Sequence, residues 1–170
     1  MEVQARAKDL VVGTHGRSIY IANIEHVQQL TPALLAEPLH LFDLEEVTRG
    51  ERWGERFAAW AEYNEPEIEV PYYAGRAGTV TLRVRAEDGT LLRAWTDEAE
   101  RGLNYPVYDL SVDPDRVAAF NERQTGEEAK KVEEAGNGKY YLVPGTYTVE
   151  LTLGADRAEG KLTVKAPRRR

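Results

Sequence analysis

An antiparallel β-sandwich, interrupted by a helical insertion and preceded by a separate group of short strands, is the fold this sequence predicts. Three observations predict it. Residues 79–86 and 146–153 alternate strictly between polar and apolar side chains, the period of a strand with one buried and one wet face. Asp88-Gly89 and Pro144-Gly145 punctuate the alternating runs with turn residues. No apolar run in the 170 residues approaches the roughly 20 needed to cross a membrane as a helix.

Composition narrows the function classes. An apolar fraction of 42% is enough for one core, and a net charge of -7 argues against nucleic acid, whose phosphates demand a basic face. The basic ending Arg168-Arg169-Arg170 reads as a solvated tail. With no cysteine there is neither a disulfide framework nor a thiolate metal site, and either redox compartment is compatible. The first residues lack the apolar stretch of a signal peptide.

The elements follow in order. Glu2–Arg6, Leu10–Gly13 and Arg17–Ala22 read as three short strands, the second and third apolar enough to pack on both faces. Asn23 is placed to cap a helix over Ile24–Leu30. Thr31-Pro32 opens a second helical turn, with a capping hydroxyl before a proline at the first helical position; Pro38 ends it. Leu39–Leu44 returns to an extended run. Trp53, Phe57 and Trp60 fall at i, i+4 and i+7, one face of a helix, which predicts a connecting helical segment over 46–66. Glu67–Tyr73, Thr79–Ala86 and Thr90–Thr96 read as strands, the last two joined by a tight hairpin at Asp88-Gly89 whose central positions both tolerate positive φ. Gly102–Tyr105 leads into a strand over Val107–Val112. Asp113-Pro114 opens a helix to about Arg123, with Asp113 as its cap, and Thr125–Glu128 forms a capping box for a second, mostly charged helix ending near Gly136. Lys139–Val143, Thr146–Leu153 and Lys161–Lys165 complete the β pattern, with residues 154–160 turning the chain.

Several of these residues carry a family resemblance. Thr14-His15-Gly16-Arg17, followed by an aromatic-aliphatic strand, resembles the closing blade of a β-propeller of the bacterial-neuraminidase-repeat and sortilin type. Leu30-Thr31-Pro32 and His40-Leu41-Phe42 resemble the exit linker of that family. Thr79–Val84, Asp88-Gly89, Gly102-Leu103-Asn104 with Tyr108-Asp109-Leu110, and Pro144–Val149 resemble the immunoglobulin-like module that follows such propellers, similar to that of the flagellar hook-capping protein. The resemblance implies three parts. Residues 1–45 would be the remnant of a last blade and its linker, 46–66 a connecting segment, and 67–166 an immunoglobulin-like sandwich with its insertion near 113–138. It implies a parent of the glycoside hydrolase kind, extracellular or periplasmic, whose chemistry lies in a propeller channel outside this chain. The partners it implies are the rest of that propeller, or a second copy paired through the blade strands as a homodimer.

No catalytic centre is legible. Ser18 and Ser111 lie within strands and outside any nucleophile elbow, and His15, His26 and His40 show no metal-ligand spacing. Asp113, Asp115 and Glu122 depart from a calcium loop, which needs a glycine at its sixth position and a glutamate at its twelfth. No catalytic, cofactor or metal residue is therefore assigned. Contact residues remain: His15 and Arg17 on the first turn, and the aromatic set Trp53, Trp60, Tyr72, Tyr73, Tyr140 and Tyr141. Each tyrosine pair puts its rings on opposite strand faces, which predicts one exposed ring per pair. The function expected is a non-catalytic accessory module, with a carbohydrate-binding module stacking sugars on the aromatic set as the alternative and part of a glycoside hydrolase as the third reading.

Overall fold

The computed structural model describes residues 2–4, 8–13, 15–16, 19–125 and 130–167. The chain divides into two compact units, 1–38 and 39–170.

The first unit holds an antiparallel sheet in the order β1 (Glu2–Gln4), β2 (Asp9–Gly13), β3 (Ile19–Asn23). Val11 faces Ile21 and Val12 faces Tyr20 across the second pair. The strands form where the apolar runs predict them, but they are not packed on both faces. Ile19, Tyr20 and Ile21 are 72%, 62% and 67% exposed, and successive residues point to opposite sides. Two short helices follow, α1 (Glu25–Gln29) and α2 (Pro32–Leu35). The Asn23 carboxamide accepts the Glu25 amide at 2.9 Å, so it turns the chain into α1 from one residue before the N-cap. Thr31 Oγ1 accepts the Leu34 amide, with Pro32 at the first helical position as the sequence predicts.

The second unit is mainly β and sandwich-like. Its larger layer runs β5 (Val47–Thr48), β15 (Asp156–Lys165), β14 (Gly145–Leu153), β8 (Gly78–Ala86), β9 (Leu91–Ala99), antiparallel except for the β5–β15 pair. Alternation delivers the core. Val80, Leu82 and Val84 of β8, and Val149 and Leu151 of β14, are fully buried, and Thr81, Arg83 and Thr148 take the wet face. Each such burial contributes about 1.5–3 kcal/mol. The facing layer is built from interrupted strands. β4 (Leu39–Leu41) pairs with β7 (Tyr72–Ala74), and β7 with β10 (Gly102–Asn104). Beyond Pro71, β6 (Ile68–Glu69) pairs with β11 (Val107–Tyr108), and beyond Leu110, β12 (Ser111–Val112) pairs with β13 (Tyr140–Tyr141). Prolines 71 and 106 lack a ladder donor, and Leu110 sits at φ 56 with its side chain fully buried. Pro71 and Leu110 each divide in two a strand that the sequence suggested, Glu67–Tyr73 and Val107–Val112, and Pro106 separates the second of them from β10.

Other departures have equally local causes. Ala86 begins a four-residue turn in which Gly89 alone takes positive φ (85°). Its amide donates to Ala86 O, and Asp88 accepts the Thr90 amide at 2.8 Å. A register shift at Val84/Arg85 absorbs the extra residue. Residues 154–160 are not a long turn: Gly154-Ala155 closes a two-residue hairpin and β15 begins at Asp156, with Gly154 at φ 64. Small residues on the inward side of early β15 let β4 approach, since a side chain at Gly160 would meet Leu41 at 2.8 Å. Helix α3 (Pro114–Arg123) runs as predicted and buries Phe120. Asp113 does not cap it by side chain. Its carboxylate instead takes Arg93 Nη1 at 2.9 Å and the Ala94 amide at 3.1 Å. Of the predicted second helix, 126–129 lie outside the described residues, and 130–135 are non-helical, held by Val132 N–H and C=O bonds to Asn121 and an isolated bridge from Glu134 to Tyr140.

Candidate functional site

The segment expected to be a helix around Trp53, Phe57 and Trp60 is a finger-like loop. Residues 51–64 form turns closed by an antiparallel bridge between Arg56 and Tyr63. The Gly54 amide donates to Asn64 O and the Asn64 amide to Glu55 O, both at 2.8 Å. Arg56 Nη1 donates to Ala59 O at 3.0 Å, which fixes the tip. Helical spacing is present in the sequence, but Gly54 at φ 76 cannot sit in a right-handed helix, and a side chain there would meet Ala135 Cβ at 2.4 Å.

The root of the finger is packed. Trp53 is half-buried, with its ring edge-on to Tyr141 at 6.1 Å and the Arg49 guanidinium 5.2 Å above it. Arg49 also donates to Leu142 O. Glu55 accepts the Gly136 amide at 3.0 Å; Glu65 accepts Asn137 Nδ2 at 2.9 Å and Lys139 Nζ at 2.8 Å. Lys139 reaches on to Asp109 at 3.3 Å, and Asp109 accepts the Ser111 hydroxyl at 2.6 Å. Burial pushes the Asp109 carboxyl up, but the two Ser111 hydrogen bonds with Arg93 and Lys139 hold it below its ordinary value. The hydrogen bond to Lys139 lowers Glu65 in the same way, and that to Glu65 raises Lys139.

The tip is not packed. Trp60 is 85% and Phe57 78% exposed, with the Arg52 guanidinium 5.7 Å from the Phe57 ring and that of Arg56 5.0 Å from the Tyr63 ring. The tyrosine pairs do not present the rings expected of them. Tyr72, Tyr73 and Tyr141 are buried, and Tyr140 is partly buried with its hydroxyl donating to Glu134 at 3.0 Å. Both rings of Tyr72-Tyr73 are buried, on a strand flanked by β4 and β10. The Tyr72 hydroxyl has no hydrogen-bond partner among the described residues, and burial followed by the Asp97 charge pushes it up to about 12. His15 is exposed on the turn between β2 and β3; Arg17 lies outside the described residues. The structure thus joins Trp53 to Tyr141 and leaves Trp60 as the far more exposed of the second unit's predicted contact rings.

Two further features escaped the sequence reading. Glu150, although buried, forms ion pairs with Arg157 at 2.9 Å, Arg83 at 3.3 Å and Arg85 at 3.8 Å on the wet face of the larger sheet. Only the strand register, which puts Arg83 and Glu150 opposite each other, brings them together. A groove of about 500 Å³ lies between the end of α3 and the start of β14, floored by Phe120, Val143 and Tyr147 and edged by Asp88, Arg123 and Lys130. Among the described residues no set of His, Asp and Glu converges as a metal-binding group. The Ser111 hydroxyl is buried and committed to Asp109, so this serine–carboxylate pair acts as a structural clip.

No known family profile matches the chain, and no curated protein matches it. Among solved structures, the chain is similar to a β-glucosidase of Erythrobacter marinus at 12% identity with a TM-score of 0.32. The match covers 74% of this chain and 15% of that one. A likeness of that size carries no argument about fold or activity.

Proposed function

We propose that the chain is a non-catalytic accessory module of a larger β-propeller protein, in which an immunoglobulin-like sandwich orients or caps the propeller and the first unit supplies strands to a blade. The observation that carries this reading is strand β3. It is an edge strand, and Ile19, Tyr20 and Ile21 stand in solvent on both of its faces. Apolar surface on both faces beside an unpaired edge asks for cover and for another strand. Propeller blades, four-stranded and stacked face to face, supply both. A second copy paired through β3 supplies the strand when the propeller is absent.

Light scattering at micromolar concentration tests the pairing. A dimer is expected, and Ile19→Lys with Ile21→Lys returns it to monomer. A monomer whose β3 amides exchange as fast as an unstructured peptide counts against the reading. So does measurable glycoside hydrolysis by this chain. Coding sequence for propeller blades directly upstream is the complementary expectation.

A further inference from the structure

The finger tip is an apolar surface held in water at a structural cost. Phe57-Ala58-Ala59-Trp60-Ala61 carries no charge, between Arg56 on one side and Glu62 on the other. The tip is preorganised by the Arg56–Tyr63 bridge, the Arg56 bond to Ala59 O, and the Ala61 amide donating to Ala58 O at 3.0 Å. Two of its backbone carbonyls are therefore already satisfied from within, which lowers the cost of taking the tip out of water. Arg52 and Arg56 lie beside the Phe57 and Tyr63 rings, and neither is paired with a carboxylate among the described residues.

The chemistry of this tip selects among occupants. Specific protein interfaces carry about one hydrogen bond per 100–200 Å², and sugar sites need side chains that bond hydroxyls. Within 57–61 the sole polar side-chain group is the Trp60 indole N–H. A lipid interface asks for neither. It takes an apolar tip at acyl depth and an amphipathic collar of aromatic and long cationic side chains at headgroup depth. The finger itself, residues 51–65, carries Glu51, Glu55, Glu62 and Glu65 against Arg52 and Arg56, and this acidic excess disfavours an anionic surface and leaves a neutral one.

We propose that residues 57–61 form a peripheral membrane anchor that inserts Phe57 and Trp60 into a zwitterionic lipid surface, with Arg52, Arg56 and Tyr63 seated among the phosphates. The proposal does not depend on the propeller reading, since it uses no residue of the first unit. Co-sedimentation of the full chain with phosphatidylcholine vesicles tests it, alongside quenching of tryptophan fluorescence by brominated phosphatidylcholine. Vesicle binding and quenching are expected. Trp60→Ala is expected to weaken binding at least about tenfold, the equivalent of about 1.4 kcal/mol, and to remove most of the quenching. Phe57→Ala weakens binding less, and added salt has little effect. Both side chains are exposed, so these variants fold, and unchanged circular dichroism verifies it. The proposal is overturned by absence of binding to phosphatidylcholine, by binding that Trp60→Ala leaves intact, or by binding that requires phosphatidylserine. Trp60-dependent binding to a soluble oligosaccharide or protein without vesicle binding overturns it as well.

Discussion

Ile19-Tyr20-Ile21 of β3 and Val80-Thr81-Leu82 of β8 are both short β runs rich in branched or aromatic side chains, yet they end in opposite environments. In β8 the alternation is strict, and Val80 and Leu82 disappear into the core beneath a wet Thr81. In β3 the alternation is lost, and all three side chains stand in water. Sheet context explains the contrast. β8 is flanked by β9 and β14 and faces a second layer; β3 ends a three-stranded sheet. A one-sided stripe is satisfied by one partner layer, whereas a two-sided apolar strand requires two.

The largest expected effect breaks this comparison most directly. Leu82→Ala should destabilise by about 3–5 kcal/mol, the cost of a cavity in a core with no slack. Ile21→Ala in β3 should stay within about 0.5 kcal/mol, as at other exposed positions. Urea denaturation followed by far-ultraviolet circular dichroism measures both. Equal effects would mean that β3 is covered in solution. Next in size is Gly54→Ala at the root of the finger. It forces an L side chain to positive φ, at about 1–2 kcal/mol, and also drives a methyl to within 2.4 Å of Ala135. A loss of at least about 2 kcal/mol is expected on those two counts. Gly89→Ala carries the φ penalty without the clash, because none of the described residues lies within 4 Å of its Cβ position, and so should cost less.

The same contrast shows how much was legible in the sequence. Wherever period-2 alternation met a turn signal, the strands lie close to where they were expected: 78–86, 91–99 and 145–153. The Thr31-Pro32 cap and the Pro114–Arg123 helix were equally local signals. The finger was not legible. Trp53, Phe57 and Trp60 mimic a helical stripe, but Gly54 takes positive φ at a position with no room for a side chain beside residues 135–141, which no local window contains. Gly54 and Asn64, bracketing the segment, were the available hint. Tyr72-Tyr73 departed for a related reason: alternation predicts opposite faces, but on β7, flanked by β4 and β10, both rings are buried. Of the candidate residues, His15 and Trp60 stand exposed, and Trp53 packs against Tyr141 at the root of the finger.

Smaller effects separate satisfied from unsatisfied hydroxyls within one core. Tyr108 donates to Ser111 O at 2.7 Å and Tyr147 to Val143 O at 2.6 Å, whereas the Tyr72 hydroxyl is buried without a partner among the described residues. Removing a paired hydroxyl strands a carbonyl; removing an unpaired one relieves a desolvation cost. Tyr108→Phe and Tyr147→Phe should each lose about 1 kcal/mol, and Tyr72→Phe should be neutral or gain up to about 1 kcal/mol. Midpoints of urea unfolding at constant slope read the difference.

The smallest expected effect is the pH dependence of the finger's anchorage. Glu65 and Asp109 are held below their ordinary values in the folded chain, and Lys139 above its own. For the carboxylates the stabilising contribution is complete above the unfolded range near about pH 4, and is lost as pH falls through their lowered folded values. For Lys139 it is complete below about pH 10.4, and is lost as pH rises through its raised folded value. All three groups keep substantial solvent contact, with side-chain exposures of 42%, 28% and 39% for Glu65, Asp109 and Lys139, so the network contributes less than about 1 kcal/mol. Lys139→Met should therefore leave stability at neutral pH nearly unchanged while flattening its decline below about pH 4. It should also speed amide exchange at Gly136 and Asn64, where the finger meets the sandwich. A variant that loses several kcal/mol at neutral pH would show that the contact is buried in solution and that the finger is braced far more tightly than its exposed ion pairs allow.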